Sequence, residues 1–192
     1  RSLMSYVIGL ALILVFMALY YGGAGFVSII ALFANMFFIF GALASFGTVL
    51  TLPGIAGILL TIGMAVDANV IIYERVREEL RSGKSLLSSI QDGFKNSYSA
   101  IIDANVTTIM VAFILAYFGL GPIKGFAVVL IIGVLSSLFT AVLLGKLMID
   151  WWTQSKGRSL SFWTPPTKNM FANMKIDWLG KRKIAYVISS TI

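Results

Sequence analysis

The sequence predicts an all-α fold, a polytopic helical membrane bundle with about five transmembrane helices plus a truncated sixth. Three observations predict it. The 192 residues are 58% hydrophobic and only 12% charged, against about 25% charged in a soluble domain. Apolar stretches long enough for a helix to cross a hydrocarbon core of about 30 Å, which takes about 20 residues, recur along the chain. The basic residues gather at the ends of those stretches rather than being spread over a surface.

The first stretch is Leu3–Tyr21, ended by Gly22-Gly23-Ala24-Gly25. The second is Phe26–Phe46, ended near Gly47. The third, Leu52–Tyr73, carries Pro53 in its first turn, where a missing N–H costs no hydrogen bond. The fourth, Ser97–Phe118, stops at Gly119-Leu120-Gly121-Pro122. The fifth, Ile123–Ile149, runs into Trp151 and Trp152, whose indoles suit the membrane–water boundary.

The connections are unequal. Gly22–Gly25 and Gly47–Thr51 are short and uncharged, whereas Glu74–Asn96 is long and holds five basic residues. Its first part, Glu74–Arg81, reads as a charged helix with pairs at i,i+4 such as Glu74/Glu78 and Arg77/Arg81. Ser85–Phe94 reads as an amphipathic surface helix, apolar at Leu86, Leu87, Ile90 and Phe94. Thirteen of the fifteen Lys/Arg residues lie in Arg75–Lys95 or Lys146–Lys183. The positive-inside rule then places loop 74–96 and the tail after 146 in the cytoplasm, with residue 1 outside.

Residues 151–182 read as a cytoplasmic linker, polar and broken by Pro165-Pro166. Lys181-Arg182-Lys183 then precedes a new apolar run, and residues 183–192 are too few to span. That run, and an apolar start right after Arg1, lead us to expect a segment of a longer protein.

Composition removes several kinds of chemistry. Without Cys or His there is no disulfide, thiol nucleophile, Cys/His zinc site or Ser-His-Asp triad. No phosphate-cradling G-x-x-x-x-G-K-[ST] motif is present. No catalytic, cofactor-binding or metal residue is expected. The net charge of +7 belongs to membrane flanks, so no nucleic-acid partner is expected.

Asp67 is the sharpest feature. A carboxylate inside an apolar span costs about 2.5–3.5 kcal/mol on insertion scales and usually faces a bundle interior or a wet cavity. Ala56 and Gly63 fall within half a turn of it, so close helix packing is expected to shield it from lipid. Asp67-Ala68-Asn69-Val70 recurs as Asp103-Ala104-Asn105-Val106 on the next helix, with Asp103 at nearly the same depth. Two acids at one depth on antiparallel helices make Asp67 and Asp103 proton-relay candidates. Asn69, Asn105, Thr107 and Thr108 are read as polar helix-packing groups that hydrogen-bond between helices.

At Leu52–Glu79 the sequence reads LPGIAGILLTIGMAVDANVIIYERVREE, followed by IDANVTT at Ile102–Thr108 and GPIKGFA at Gly121–Ala127, with SLFTAVL at Ser137–Leu143. These blocks resemble the SecD/SecF family of protein-export membrane proteins, within the resistance–nodulation–division superfamily. Residues 1–150 would be its SecD-like helices two to six. FANMKIDWLGKRK at Phe171–Lys183 resembles the beginning of a SecF half, so the likeness implies a fused SecDF chain. It further implies a bacterial inner-membrane subunit that uses the proton-motive force to assist export, with Asp67 as the proton-path carboxylate. Implied partners are the SecYEG channel, SecA, YajC, the SecF half of the same chain, the translocating polypeptide and membrane lipid. Two rivals stand beside this reading: a proton-driven drug or lipid exporter of the same superfamily, and a non-transporting scaffold for partner subunits.

Because the segment lacks cysteine, single cysteines report sidedness cleanly once the full-length protein is cysteine-free. Cysteine at Ser82 should resist a membrane-impermeant thiol reagent on intact cells, as should one at Gly23, whereas one at Gly121 should react. Labelling at Ser82 from outside reverses the topology.

Overall fold

The computed structural model describes residues 2–45, 51–156, 160–164 and 167. It contains α1 (Ser2–Tyr21), α2 (Gly23–Ser45), α3 (Leu52–Arg81), α4 (Leu86–Phe118), α5 (Pro122–Leu138), a π-helical segment (Phe139–Leu144) and α6 (Gly145–Lys156). Among the described residues four runs are long and apolar enough to cross a membrane: α2, α3, α4 and the run Pro122–Thr153. In α1 the apolar stretch is the shorter Val7–Tyr21. The expected connection at Gly47 and the SecF-like start at 183–192 lie outside the described residues.

Helix boundaries follow local chemistry. Gly22, at φ 56°, takes the left-handed conformation that glycine adopts without steric cost. It alone separates α1 from α2, so the chain reverses over one residue rather than the expected Gly22–Gly25. Thr51 caps α3 by accepting from Gly54 N at 3.3 Å, and Ser85 caps α4 by accepting from Ser88 N at 3.3 Å.

Two helices outrun the bilayer. α3 has 30 residues and α4 has 33, about 45 and 50 Å at 1.5 Å per residue, against a core of about 30 Å. The charged helix expected after Tyr73 is the end of α3. The expected separate helix 85–94 is instead the start of α4, and of its expected apolar side Leu87 stays exposed. Ile90 and Phe94 of that side are buried with Tyr73 and Val76 of α3. Gly93 is the reason: a Cβ there would overlap Val76 Cγ2 and reach 3.0 Å from the Val76 Cα. The two helices approach at nearly backbone distance.

The charge pairs also differ from expectation. Glu74/Glu78 and Arg77/Arg81 join like charges and cannot attract. The pairs that form are Arg75–Glu78 at 2.6 Å, Arg75–Glu79 at 3.5 Å and Arg77–Glu74 at 2.7 Å. Lys84, in the turn, bridges Glu79 at 2.7 Å and Asp92 at 2.6 Å. Its hydrogen bonds hold the Glu79 and Asp92 carboxyls below their usual range, while Asp92 and then Glu79 raise Lys84. The carboxylate contribution is therefore present at neutral pH and is lost as pH falls through those lowered values. The Lys84 contribution is lost only as pH rises through its raised value.

α3 is the central helix, touching α2, α4, α5 and the π segment. On α5, Gly133 lies against it so closely that a Cβ would come within 2.6 Å of the Thr61 Cβ. Small residues at such crossings are how membrane helices gain packing without a hydrophobic driving force. Large apolar side chains on the outer faces, such as Leu12, Phe37, Phe113 and Tyr117, stay exposed, as a lipid-facing surface requires.

The tail is not a free linker from residue 151. Residues 151–156 belong to α6, and residues 160–164 with Thr167 dock back on the bundle. Ala24 N donates to Ser161 O at 3.0 Å, Thr164 Oγ1 to Leu19 O at 2.7 Å, and Thr167 Oγ1 to Tyr20 O at 3.0 Å. Phe162 packs edge-on against Tyr73, ring centroids 5.7 Å apart. Arg77 joins these parts. It is buried at 1% exposure, lies 4.8 Å from the Tyr20 ring centroid, and donates to Thr167 O at 3.1 Å. Thus the α1–α2 turn, the α3 extension and the tail share one end of the bundle.

Gly93 gives a test in which two effects oppose. Gly93→Ala would gain about 0.8–1 kcal/mol in helix propensity, while overpacking costs about 1–3 kcal/mol. We expect the protein to melt lower in detergent, and Val76→Ala to restore it in a double-mutant cycle. A stabilised Gly93→Ala protein contradicts the α3–α4 contact.

Candidate functional site: the Asp67 cleft

A cleft of about 200 Å³ lies between α3 and α4, lined by Met64, Asp67, Ala68 and Ile71 on one side and Ile101, Ala104, Asn105 and Thr108 on the other. Asp67 is exposed on the wall of this cleft. The expected shielding is absent among the described residues. Ala56 and Gly63 are themselves exposed, and nothing lies within 4 Å of a Cβ built on Gly63. The buried side of α3 carries Thr61, Ala65, Ile72 and Val76, so the stripe Ala56–Gly63–Asp67 is the opposite, uncovered face. The reason is helical phase: at about 100° per residue, these three residues lie together, away from the glycine contacts that seat α3.

Asp103 does not join Asp67. Depth agrees, because Asp67 shares its cleft with Ala104 and Asn105. Face does not agree. Asp103 lies two residues from both Ile101 and Asn105, about 200° around α4 from either, and is exposed away from the cleft.

The four polar packing candidates bond within their own helices rather than between helices. Asn69 Nδ2 donates to Ala65 O at 3.1 Å and Asn105 Nδ2 to Ile101 O at 2.6 Å. Thr107 Oγ1 donates to Asp103 O and Thr108 Oγ1 to Ala104 O, both at 3.1 Å. Each reaches the carbonyl one turn back, which satisfies a side-chain polar group in an apolar setting without a partner helix. Asn69 and Asn105 are nevertheless buried. The Asn69 Oδ1 points toward Gly145, 3.8 Å from where a Cβ would stand. Thr107 is exposed, whereas Thr108 lines the Asp67 cleft.

Sequence reasoning missed Asn35, fully buried in α2 with neither amide atom hydrogen-bonded among the described residues. An Asn within Phe26–Phe46 was the available signal. It also missed Arg77 as a buried anchor, since nothing in a charged helix tells which of its residues turn inward; Glu79 is buried as well. Among the described residues no three acidic side chains converge as a metal site.

The cleft predicts a difference in reactivity. An apolar carbodiimide should label Asp67 through the cleft. Ala104→Phe, which fills it, should slow that labelling several-fold and leave Asp103 labelling unchanged. Equal slowing at both carboxyls, read by peptide mass spectrometry, would remove the cleft as the access route.

The family described as protein export membrane protein SecD/SecF, C-terminal, matches residues 1–155. The chain is 56% identical over 143 residues to protein translocase subunit SecD of Desulfurispirillum indicum, covering 74% of this chain and 28% of that protein. It is 53% identical over 147 residues to SecD of Rickettsia prowazekii, covering 77% and 28%. Its structure is similar to the crystal structure of SecDF, a translocon-associated membrane protein from Thermus thermophilus, with TM-score 0.85 and 34% identity over 98% of this chain and 25% of that one. The chain therefore spans under a third of the length of these relatives. With a family match over residues 1–155 and more than half of its aligned residues shared with SecD proteins, this chain belongs to the SecD/SecF family of protein-export membrane proteins.

Proposed function

We propose that this chain is the SecD-side membrane portion of a Sec-translocase accessory protein that uses the proton-motive force to assist protein export across the bacterial inner membrane. The observation that carries this reading is Asp67. It is a carboxylate within an apolar span, beside a cleft, inside the AVDANV block. The names of its relatives, protein translocase subunit SecD and SecDF, support the export role. SecYEG, SecA and YajC are the partners that follow from it, with the translocating polypeptide as cargo. No bond-making chemistry is assigned to the chain.

Protonation is the step the site performs. An ionised carboxylate in a span is strongly unfavourable against lipid or an apolar neighbour, and its neutral form is far less so. A proton reaching Asp67 therefore changes which surface the exposed face of α3 can lie against. The uncovered stripe of Ala56, Gly63 and Asp67 is where a SecF half is proposed to pack, small side chains allowing close approach. Asp103, on the far side of α4, has a lesser part in this scheme. In the proposed orientation the end of the bundle holding Arg77, Lys84 and the docked tail is cytoplasmic, consistent with its excess of Lys and Arg.

Asp67→Asn keeps the shape of the side chain and removes the titration. In the full-length protein it should reach normal abundance in the membrane yet lose most of the stimulation of export by the proton-motive force. Asp103→Asn should do much less. Normal proton-driven export by a well-expressed Asp67→Asn protein would leave Asp67 as a structural group. Altered drug susceptibility with intact export would favour the exporter reading instead.

A further inference from the structure

A second concavity lies away from the Asp67 cleft and shares none of its lining residues. It is an open groove of about 910 Å³ between the first half of α4 and the run from the end of α5 through the π segment into α6. That volume is in the range of small-molecule sites, about 300–1,000 Å³. The groove is strongly polarised along its length. At one end stand Gln91 and Lys95 of α4 with Lys146 and Asp150 of α6. Its apolar walls include Tyr98 and Ile102 on one side and Phe139 and Leu143 on the other. From Lys95 to Ile102, and from Lys146 back to Phe139, is seven residues in each case, about 10 Å along a helix.

Three features point to an occupant. Tyr98, Phe139 and Leu143 are about half exposed, so in a bilayer the groove opens to lipid. Lys95 and Lys146 are exposed, and neither they nor Asp150 form an ion pair among the described residues; the Lys95 charge does act on Asp92, which is already bridged to Lys84. The groove wall is itself irregular: Gly145 N donates to Thr140 O five residues back, the π-helical widening that is often found at functional sites.

We propose that this groove is a binding site for one glycerophospholipid. An acyl chain lies along the wall formed by Tyr98, Ile102, Phe139 and Leu143. The phosphodiester sits between the Lys95 and Lys146 ammonium groups, and Asp150 accepts a hydrogen bond from the headgroup. The last contact makes the site selective. Ethanolamine and glycerol headgroups carry N–H or O–H donors, and the trimethylammonium of choline carries none. Two cations and one carboxylate complement a phosphate next to a donor. Trp151, five residues beyond Lys146 and 59% exposed, fixes this end at the membrane boundary where phosphates lie.

The test uses full-length protein reconstituted with one lipid at a time, exchanged into detergent and weighed by native mass spectrometry. Wild-type protein should retain one phosphatidylethanolamine or phosphatidylglycerol in preference to phosphatidylcholine. Retention should weaken as salt rises, which needs no substitution. Lys95→Gln with Lys146→Gln should reduce it roughly tenfold to thirtyfold. Asp150→Leu should abolish the preference over phosphatidylcholine, and Leu143→Trp should displace all three lipids alike. The proposal is overturned if no lipid is retained, which would mean that another part of the full-length protein covers the groove. It is equally overturned if the double lysine substitution leaves retention unchanged.

Discussion

The close approach of α3 to its neighbours is the constraint on which the rest of the bundle depends. Membrane helices gain nothing by hiding apolar side chains from lipid that is equally apolar, so they must associate through contact and hydrogen bonding. Here two glycines provide that contact. Gly93 of α4 sits on Val76, and Gly133 of α5 sits on Thr61, each at a distance that leaves no room for a methyl group. Together they set which side of α3 is buried. Once that side is fixed, the phase of the helix turns Asp67 to the other side, beside the narrow cleft against α4.

The bundle is finished differently at its two ends. At the end holding Gly121 the connection between α4 and α5 is short, and glycine supplies its positive φ. At the other end α3 and α4 continue beyond the bilayer and are locked by charges and aromatics. Arg77 is the member of that set with no route to water. A buried guanidinium is costly unless its hydrogen bonds are met. Glu74 and the Thr167 carbonyl accept from the two terminal nitrogens and the Tyr20 ring offers its face, while Nε has no partner among the described residues. The same residue thereby ties the tail to the helices, so the part of the chain leaving the bundle is held against the helix that carries Asp67.

Asp67 stands on a stripe of α3, with Ala56 and Gly63, that the described residues leave exposed. Relatives are more than three times as long as the aligned stretch. A carboxylate that faces outward with small residues above it is suited to meeting another helix closely. Under the proposed function, the protonation state of Asp67 would act on such an interface.

Much of this was legible in the sequence, because the signals were local. Apolar runs gave the spans, clustered Lys and Arg gave their ends, and AVDANV marked Asp67. The depth match of Asp67 and Asp103 was also readable, since rise per residue is constant along a helix. What failed were inferences about which faces meet. The separation of Asp103 from the Asp67 cleft, the burial of Ile90 and Phe94 against α3, and the inward turn of Arg77 depend on contacts between residues far apart in the chain. Periodicity states that a face is apolar, not whether lipid or another helix will cover it. By itself the sequence determined the all-helical membrane character of the chain and the acid that α3 carries. Only the tertiary structure, through the backbone-distance contacts at Gly93 and Gly133, decided which side of α3 that acid faces.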